Sequence, residues 1–206
     1  MGDFFKILGL TDLEADQWQQ DGILTIREFA REQSLNEGVQ NNSKIGIVLA
    51  GTVVLESRVQ EDQRRILDYY ESGDVFGGKS LPDMTRGFYY IIASGKCRVA
   101  FLDIEKMFEE NLLQECGRLN GALMEQSAAR MIVHLDIMGQ RTMRQKLLAF
   151  FHYQKRRRGK NAFSLPFPLT DCADYLAVDR SAMMRELGKM KEEGLARARG
   201  RKIELF

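Results

Sequence analysis

Between about Ile45 and Leu102 the chain alternates β-branched and aromatic runs with glycine-containing turns, as in Ile47-Val48-Leu49-Ala50-Gly51-Thr52-Val53-Val54-Leu55 and Phe88-Tyr89-Tyr90-Ile91-Ile92. Such runs predict strands. Their close succession, punctuated by Gly51, Gly73-Asp74, Gly77-Gly78 and Gly95, predicts an antiparallel roll or barrel and not a parallel sheet with crossover helices. The first 35 residues are ambiguous, because Asp12 to Gln19 and Leu24 to Gln33 each fit a helix or a strand. After Asp103 the period becomes helical, first over Ile104 to Glu109 and then from about Leu112 to Met138. In the longer segment Met124, Ala128, Met131, Leu135 and Met138 step by 4, 3, 4 and 3 residues, the seam of a helix packed along its length. That seam is buried either on the chain's own strand domain or on the same helix of a second copy. A helix of this length projecting from a strand domain favours the second arrangement, a parallel homodimer.

Gly139 interrupts the seam and marks a hinge, after which Thr142 to Tyr153 reads as an amphipathic helix built on Met143, Leu147, Phe150 and Phe151. Lys155-Arg156-Arg157-Arg158-Gly159-Lys160 is expected as a basic turn, either solvated or in contact with phosphates, and Ala162 to Leu165 as a short strand closed by Pro166 and Pro168. The boundaries that follow are a roll over 1–111, a dimerisation helix over 112–138 and a C-terminal domain over 139–206.

Charge divides the chain at the same hinge. Of its 206 residues, 1–138 hold 14 basic and 22 acidic side chains, a net of −8, and 139–206 hold 16 and 7, a net of +9. Positive charge concentrated in a short domain is the footprint of phosphate binding, although an acidic protein or a membrane surface would also answer to it. The remaining composition, 44% hydrophobic and 29% charged, is that of a globular protein, with no apolar run near the roughly 20 residues of a spanning helix. Met1 to Leu10 carries Asp3 and lacks the basic start and long apolar centre of a secretory signal, so a cytoplasmic location is expected. Cys97, Cys116 and Cys172 are an odd, dispersed set that fits neither a disulfide framework nor a zinc site, and are read as reduced, buried thiols. No metal or cofactor is expected. His134 and His152, the two histidines, are weak candidates for ligating one.

The informative stretch runs from Leu169 to Leu195. A first helix ends near Leu176, a turn follows through Ala177 and Val178, and Asp179 is placed to cap a second helix from Arg180 to about Lys191, the layout of a helix-turn-helix. Met183, Leu187 and Met190 recur at i, i+4 and i+7 and face the core, leaving Arg180, Ser181, Met184, Arg185 and Gly188 exposed. An arginine there can donate two hydrogen bonds to the O6 and N7 edge of guanine, whereas a lysine serves phosphates as a mobile charge. Arg180, Ser181 and Arg185 are therefore the expected base readers, and Lys189 and Lys191 the first backbone contacts. From Leu195 to Phe206, Gly200 can turn the chain between two short extended arms, with Ile203 and Leu205 inward: a wing. Arg197, Arg199, Arg201 and Lys202 would lie along the DNA backbone there, and Arg199, Arg201 and Lys202 are its candidate phosphate contacts.

At these residues the chain resembles the cyclic-AMP receptor protein and FNR (Crp/Fnr) family of regulators. The resemblance spans nearly the whole chain. It is carried by Ala173-Asp174-Tyr175-Leu176-Ala177-Val178-Asp179-Arg180-Ser181-Ala182, by Arg185-Glu186-Leu187 with Met190-Lys191-Glu192-Glu193-Gly194-Leu195, and by the turn Gly73-Asp74-Val75-Phe76-Gly77. It implies an α+β fold with an N-terminal antiparallel β-roll of the cyclic-nucleotide-binding, jelly-roll type, a long dimerisation helix and a C-terminal winged helix-turn-helix. It implies double-stranded DNA, a second copy of the chain and RNA polymerase as partners, and an effector at the roll. Cyclic-nucleotide binders in the family follow the Gly-Asp turn with Gly-Glu-Leu and later Arg-Ser, where this chain has Gly77-Gly78-Lys79 and Gly87-Phe88 with Arg86 out of register. The groups that would hold the ribose and the cyclic phosphate are missing, so an effector other than a cyclic nucleotide is expected. The family's iron-sulfur members use an N-terminal cysteine cluster, and the first cysteine here is Cys97.

The sequence reading is thus a DNA-binding transcription regulator without enzymatic activity, since no Ser-His-acid arrangement, carboxylate pair or phosphate loop is evident. Two other readings stay open. One is an effector-independent regulator whose roll is a docking surface; the other is an enzyme using the roll as an active-site cup.

Overall fold

The computed structural model describes residues 8–39, 43–58, 64–78, 81 and 88–206, apart from the side chain of Asp12. The expectations placed on Lys79, Arg86 and Gly87, and most of those on Met1 to Leu10, fall outside the described residues. The chain forms two compact units, 1–63 with 67–130, and 64–66 with 131–206, so that the long helix contributes to both.

The ambiguous start of the chain resolves into helix α1 (Asp12–Gln20) and strand β1 (Leu24–Phe29). Helix α1 begins at a capping box. The Thr11 hydroxyl accepts from the Glu14 amide at 3.3 Å, and the Glu14 carboxylate accepts from the Thr11 amide at 2.7 Å. The predicted strand region yields β2 (Lys44–Ala50), β3 (Thr52–Ser57), β4 (Arg65–Glu71), β5 (Val75–Gly77), β6 (Tyr89–Ala93) and β7 (Cys97–Asp103). Two sheets form, in the orders β1-β7-β2-β5 and β4-β3-β6, and the registered pairs are antiparallel.

Alternation along β7 shows why the first sheet needs cover on both faces. Ala100 and Leu102 point toward Trp18, Ile45, Ile47, Met107, Leu119 and Leu123, whereas Val99 and Phe101 point into the roll with Phe29, Val53, Leu55, Tyr70, Phe76 and Ile91. The roll interior is aromatic and tightly filled. Phe76 packs at 5.0 Å from Tyr70 and 6.4 Å from Phe101, and a Cβ added at Gly46 would lie 2.5 Å from the Phe76 ring.

Asp103 caps the short helix α2 (Ile104–Glu109), which leads into α3 (Leu113–Met138). One face of α3 buries Cys116, Leu119 and Leu123 on the roll. Polar groups continue that attachment. The Gln126 side chain accepts from the Val75 amide at 2.8 Å, and Arg130 donates from Nε to Asp68 at 2.9 Å and from Nη2 to the Val75 carbonyl at 3.3 Å. The Arg130 guanidinium lies 4.6 Å over the Tyr70 ring. Burial pushes the Asp68 carboxyl above its ordinary range, an effect Arg130 opposes.

The opposite face of α3 is apolar and open. Met124, Met131 and Leu135 are 53%, 60% and 64% exposed, Ala128 is exposed and Met138 half-buried. Ile132 beside them is exposed as well. The same 4, 3 stepping continues toward the start of the helix through Gly121 and Gly117, where nothing lies within 4 Å of an added Cβ.

The second unit holds α4 (Met143–Arg158), β8 (Ala162–Ser164), α5 (Leu169–Leu176), α6 (Arg180–Glu192), β9 (Ala196–Arg199) and β10 (Lys202–Leu205). Its three strands lie in the order β8-β10-β9. Phe150, Phe151, Phe163, Phe167, Tyr175, Met183, Leu187 and Met190 are buried, with Phe150 stacked on Phe167 at 6.1 Å and tilted against Tyr175 at 5.2 Å. Lys155 to Arg158 are not a turn but the last turn of α4, which ends only at Gly159 in a left-handed conformation (φ 68°). Four cations complement the negative end of the helix dipole, and glycine adopts the closing conformation without strain. Among the described residues no helix is long and apolar enough to cross a membrane, and no three His, Cys, Asp or Glu side chains gather to hold a metal ion.

Candidate nucleic-acid interface

The turn between α5 and α6 is tight. Ala177 takes a left-handed conformation (φ 50°), donates its amide to the Ala173 carbonyl and so ends α5. Two residues on, the Asp179 carboxylate accepts from the Ala182 amide at 2.7 Å and starts α6. Lys146 on α4 donates to the Leu176 carbonyl at 3.3 Å, fixing the same corner from below.

Helix α6 is held along its length. Met183, Leu187 and Met190 are buried, and Arg144 on α4 ties its outer flank. The Arg144 guanidinium donates from Nε to Glu186 at 2.5 Å and from Nη1 and Nη2 to the two oxygens of Glu193 at 2.6 and 2.8 Å, a forked geometry that lysine cannot reproduce. Hydrogen bonds to Glu193 and then Glu186 raise the Arg144 pKa, and the bond from Arg144 lowers that of Glu193. Sequence reasoning missed this clamp. Its partners lie 42 and 49 positions from Arg144, beyond any local pattern.

What α6 leaves open is the face the sequence predicts: Arg180, Ser181, Met184, Arg185 and Gly188 are all exposed, as are Lys189 and Lys191 in the last turn. None of Arg180, Ser181 or Arg185 is drawn into an ion pair among the described residues. Set over the first two turns of one helix, they form a row of donors on a rigid support, the arrangement that bidentate reading of a base edge requires.

The wing is the hairpin β9–β10. Lys202 pairs with Arg199 and Glu204 with Arg197, while Ser164 and Ala162 of β8 sit opposite Lys202 and Glu204 on the other side. Arg199 and Lys202 are exposed. Arg197 lies 3.6 Å from Glu204 and 5.4 Å from the Phe206 ring centre. Arg201 has a role the sequence did not indicate. Its Nε and Nη2 donate to the Leu165 carbonyl at 3.0 and 2.7 Å, and Nη2 also to that of Pro166 at 2.6 Å, so this side chain anchors the hairpin to the segment before α5.

His134, near the end of α3, packs its ring 4.5 Å from Tyr175 of α5, with Nδ1 buried and unpartnered. Burial and then the Lys146 charge lower its pKa. The three cysteines are buried free thiols, and burial pushes Cys97 up to about 11 and Cys172 higher still.

No protein-family profile matches the sequence, and no curated protein does. Solved structures do. FixK2 from Bradyrhizobium japonicum is 20% identical with a TM-score of 0.73, covering 89% of this chain and 92% of its own. The c-di-GMP-responsive global regulator CLP of Xanthomonas campestris is 16% identical with a TM-score of 0.69, over 95% and 99%. A CRP-family transcriptional regulator from Thermus thermophilus is 17% identical with a TM-score of 0.65, over 87% and 91%. At these identities the shared property is architecture: the chain has, over nearly its full length, the fold of the Crp/Fnr regulators.

Proposed function

We propose that this protein is a sequence-specific DNA-binding transcription regulator, acting in the cytoplasm as a homodimer on a palindromic site and carrying no catalytic activity. The observation that carries this reading is the open donor face of α6. Arg180, Ser181 and Arg185 project from a helix whose opposite side is buried and whose flank is clamped by Arg144. Lys189, Lys191, Arg199 and Lys202 supply phosphate contacts around it, and the net +9 of residues 139–206 supplies long-range attraction. The open seam of Met124, Ala128, Met131, Leu135 and Met138 is covered by the same helix of a second copy, which sets two copies of α6 about 34 Å apart in successive major grooves. The roll receives a signal other than a cyclic nucleotide, and RNA polymerase is the downstream partner.

The test is selection of bound sites from random duplexes, repeated with Arg180→Ala and Arg185→Ala. The parent is expected to enrich an inverted repeat and each variant to lose discrimination at one position of each half-site. Unchanged discrimination in both variants would sink the assignment of base readers.

A second reading is favoured by the packing of the roll, where Phe76 fills the space beside Gly46 and Phe101 that beside Gly38. On this reading the roll binds no effector and serves as a docking surface. A metabolite at one hundred times its dissociation constant adds about 2.7 kcal/mol of stability. A thermal-shift screen in which a cell metabolite raises the melting temperature of the roll would exclude the docking reading.

A further inference from the structure

Strand β4 contributes to both units: Arg64, just ahead of it, and its first residues Arg65 and Ile66 belong to the second, and Leu67 onward to the first. Its later part is fixed in the roll. It lies beside β3 in the second sheet, and Asp68 accepts from Arg130 of α3 at 2.9 Å. At its entrance Ile66 is buried and the Arg64 guanidinium reaches α5. One nitrogen, Nη1, donates to Asp171 at 3.0 Å and to Asp174 at 2.8 Å, residues 107 and 110 positions away. Residues 139–206 hold 16 basic side chains of their own, yet the cation bridging these two carboxylates comes from outside that range.

Asp171 and Asp174 stand three residues apart on α5, so they share a helix face. The Asp171 side chain is only 9% exposed. Ion pairs of this kind add little net stability, since desolvation offsets attraction, and their best-attested use is to fix one geometry against its alternatives. What this pair fixes is α5. The tight turn at Ala177 and the Asp179 cap join α5 to α6 without slack, so a tie on α5 also sets the direction of Arg180 and Arg185. A binding constellation of this kind tolerates errors of only about 0.5 Å.

We propose that Arg64 is a positioning residue for DNA recognition: it straps α5 to the start of β4 and holds α6 at the setting that base reading needs, without touching DNA itself. Affinity for the specific site is thereby set in part by a strand of the roll, and whatever displaces β4 changes it by a route separate from the hinge at Gly139. The proposal rests on the DNA-binding reading and adds to it a residue outside 139–206 and a second route of control.

The experiment uses the full chain, the selected site and a random duplex. It compares the parent with Arg64→Gln, Asp174→Asn and the double variant, with Arg180→Ala and Arg185→Ala as controls. The first two substitutions change the charge in opposite directions, which separates a strap from bulk electrostatics. Each is expected to weaken binding to the selected site roughly 2- to 30-fold, the range for residues that act without touching the ligand. Binding to random duplex, which requires no fixed geometry, should stay near the parent's. The double variant should bind no more weakly than the weaker single one, because either change cuts the same tie. If Arg64→Gln fails to fold, Asp174→Asn decides by its sign alone. Tighter binding by Asp174→Asn, equal losses on both duplexes, or parent affinity in both single variants overturns the strap, and the DNA-binding reading stands as long as the controls lose site discrimination. If both controls leave discrimination unchanged, that reading fails and takes the strap with it.

Discussion

Arg180 and Arg185 differ from Arg144, Arg197 and Arg201 in having neither an ion pair nor a side-chain hydrogen bond to hold them among the described residues, and that difference sets what their loss should do. A bidentate contact to a base edge contributes about 1–3 kcal/mol of discrimination, so Arg180→Ala should cost roughly 5- to 150-fold between the selected site and one altered at the contacted base. Arg180→Lys keeps the charge and loses the fork. It is expected to preserve affinity for random duplex while losing most of the discrimination, which quantitative binding on matched and altered sites would check. Equal loss on both sites would make Arg180 a phosphate contact. These arginines were legible in the sequence because their spacing, the cap at Asp179 and the buried Met183, Leu187 and Met190 all obey one local helical rule. Arg144 and Arg201 were not legible. Each is defined by carboxylates or carbonyls brought near by folding, Arg201 by Leu165 and Pro166 at 36 and 35 positions away, and nothing local distinguishes such a residue from a surface cation.

Helices and strands were readable to the extent that their signals are local. The Thr11–Glu14 capping box settles the helical state of Asp12 to Gln20, whereas β1 is a strand because β7 pairs with it over its whole length. Consecutive cations resemble a loop in sequence, whereas at the end of α4 they answer the helix dipole, so the helix runs on through Arg158. Period alone predicts the seam of α3, and its exposure gives it energetic meaning. Leu135 is 64% exposed in the single chain, so Leu135→Glu should leave the fold intact and act on association. Burying one such side chain contributes about 1.5–3 kcal/mol, and symmetry counts it twice, so the dimer dissociation constant should rise by roughly 10²- to 10⁴-fold. Sedimentation velocity would show a folded monomer; a persistent dimer would exclude this face as the interface. At the end of the same helix, His134 lies against Tyr175 with Nδ1 unpartnered, beside the Lys146 charge. Its folded pKa is below the ordinary 6.5, so the unfolded chain takes up the proton first as pH falls. The contribution is therefore complete above about pH 6.5 and is lost on acidification toward the lowered folded value. His134→Phe keeps the ring contact and should remove this part of the pH dependence, seen as parent and variant melting curves that diverge below about pH 6.5. Parallel curves would show that the ring titrates alike in both states.

At the scale of the whole molecule, two separate cores and one continuous helix pose the question of whether the chain unfolds once or twice. The first unit has its own interior of Phe29, Tyr70, Phe76 and Phe101, and the second its own cluster of Phe150, Phe151, Phe167 and Tyr175. Each is large enough to unfold cooperatively, so two overlapping transitions are expected in calorimetry instead of one. DNA distinguishes them, because the proposed contacts all lie in 139–206. A duplex carrying the selected site, present at one hundred times its dissociation constant, should add about 2.7 kcal/mol to the unit that binds it and leave the other transition near its original temperature. The two transitions can be assigned by substitution: Phe76→Leu should lower the roll's transition and Phe167→Leu the other. If DNA instead raises both transitions together, the units unfold as one body and α3 transmits binding energy from the DNA-reading unit to the roll. A signal bound at the roll would then change DNA affinity by the same factor by which DNA changes the affinity for that signal.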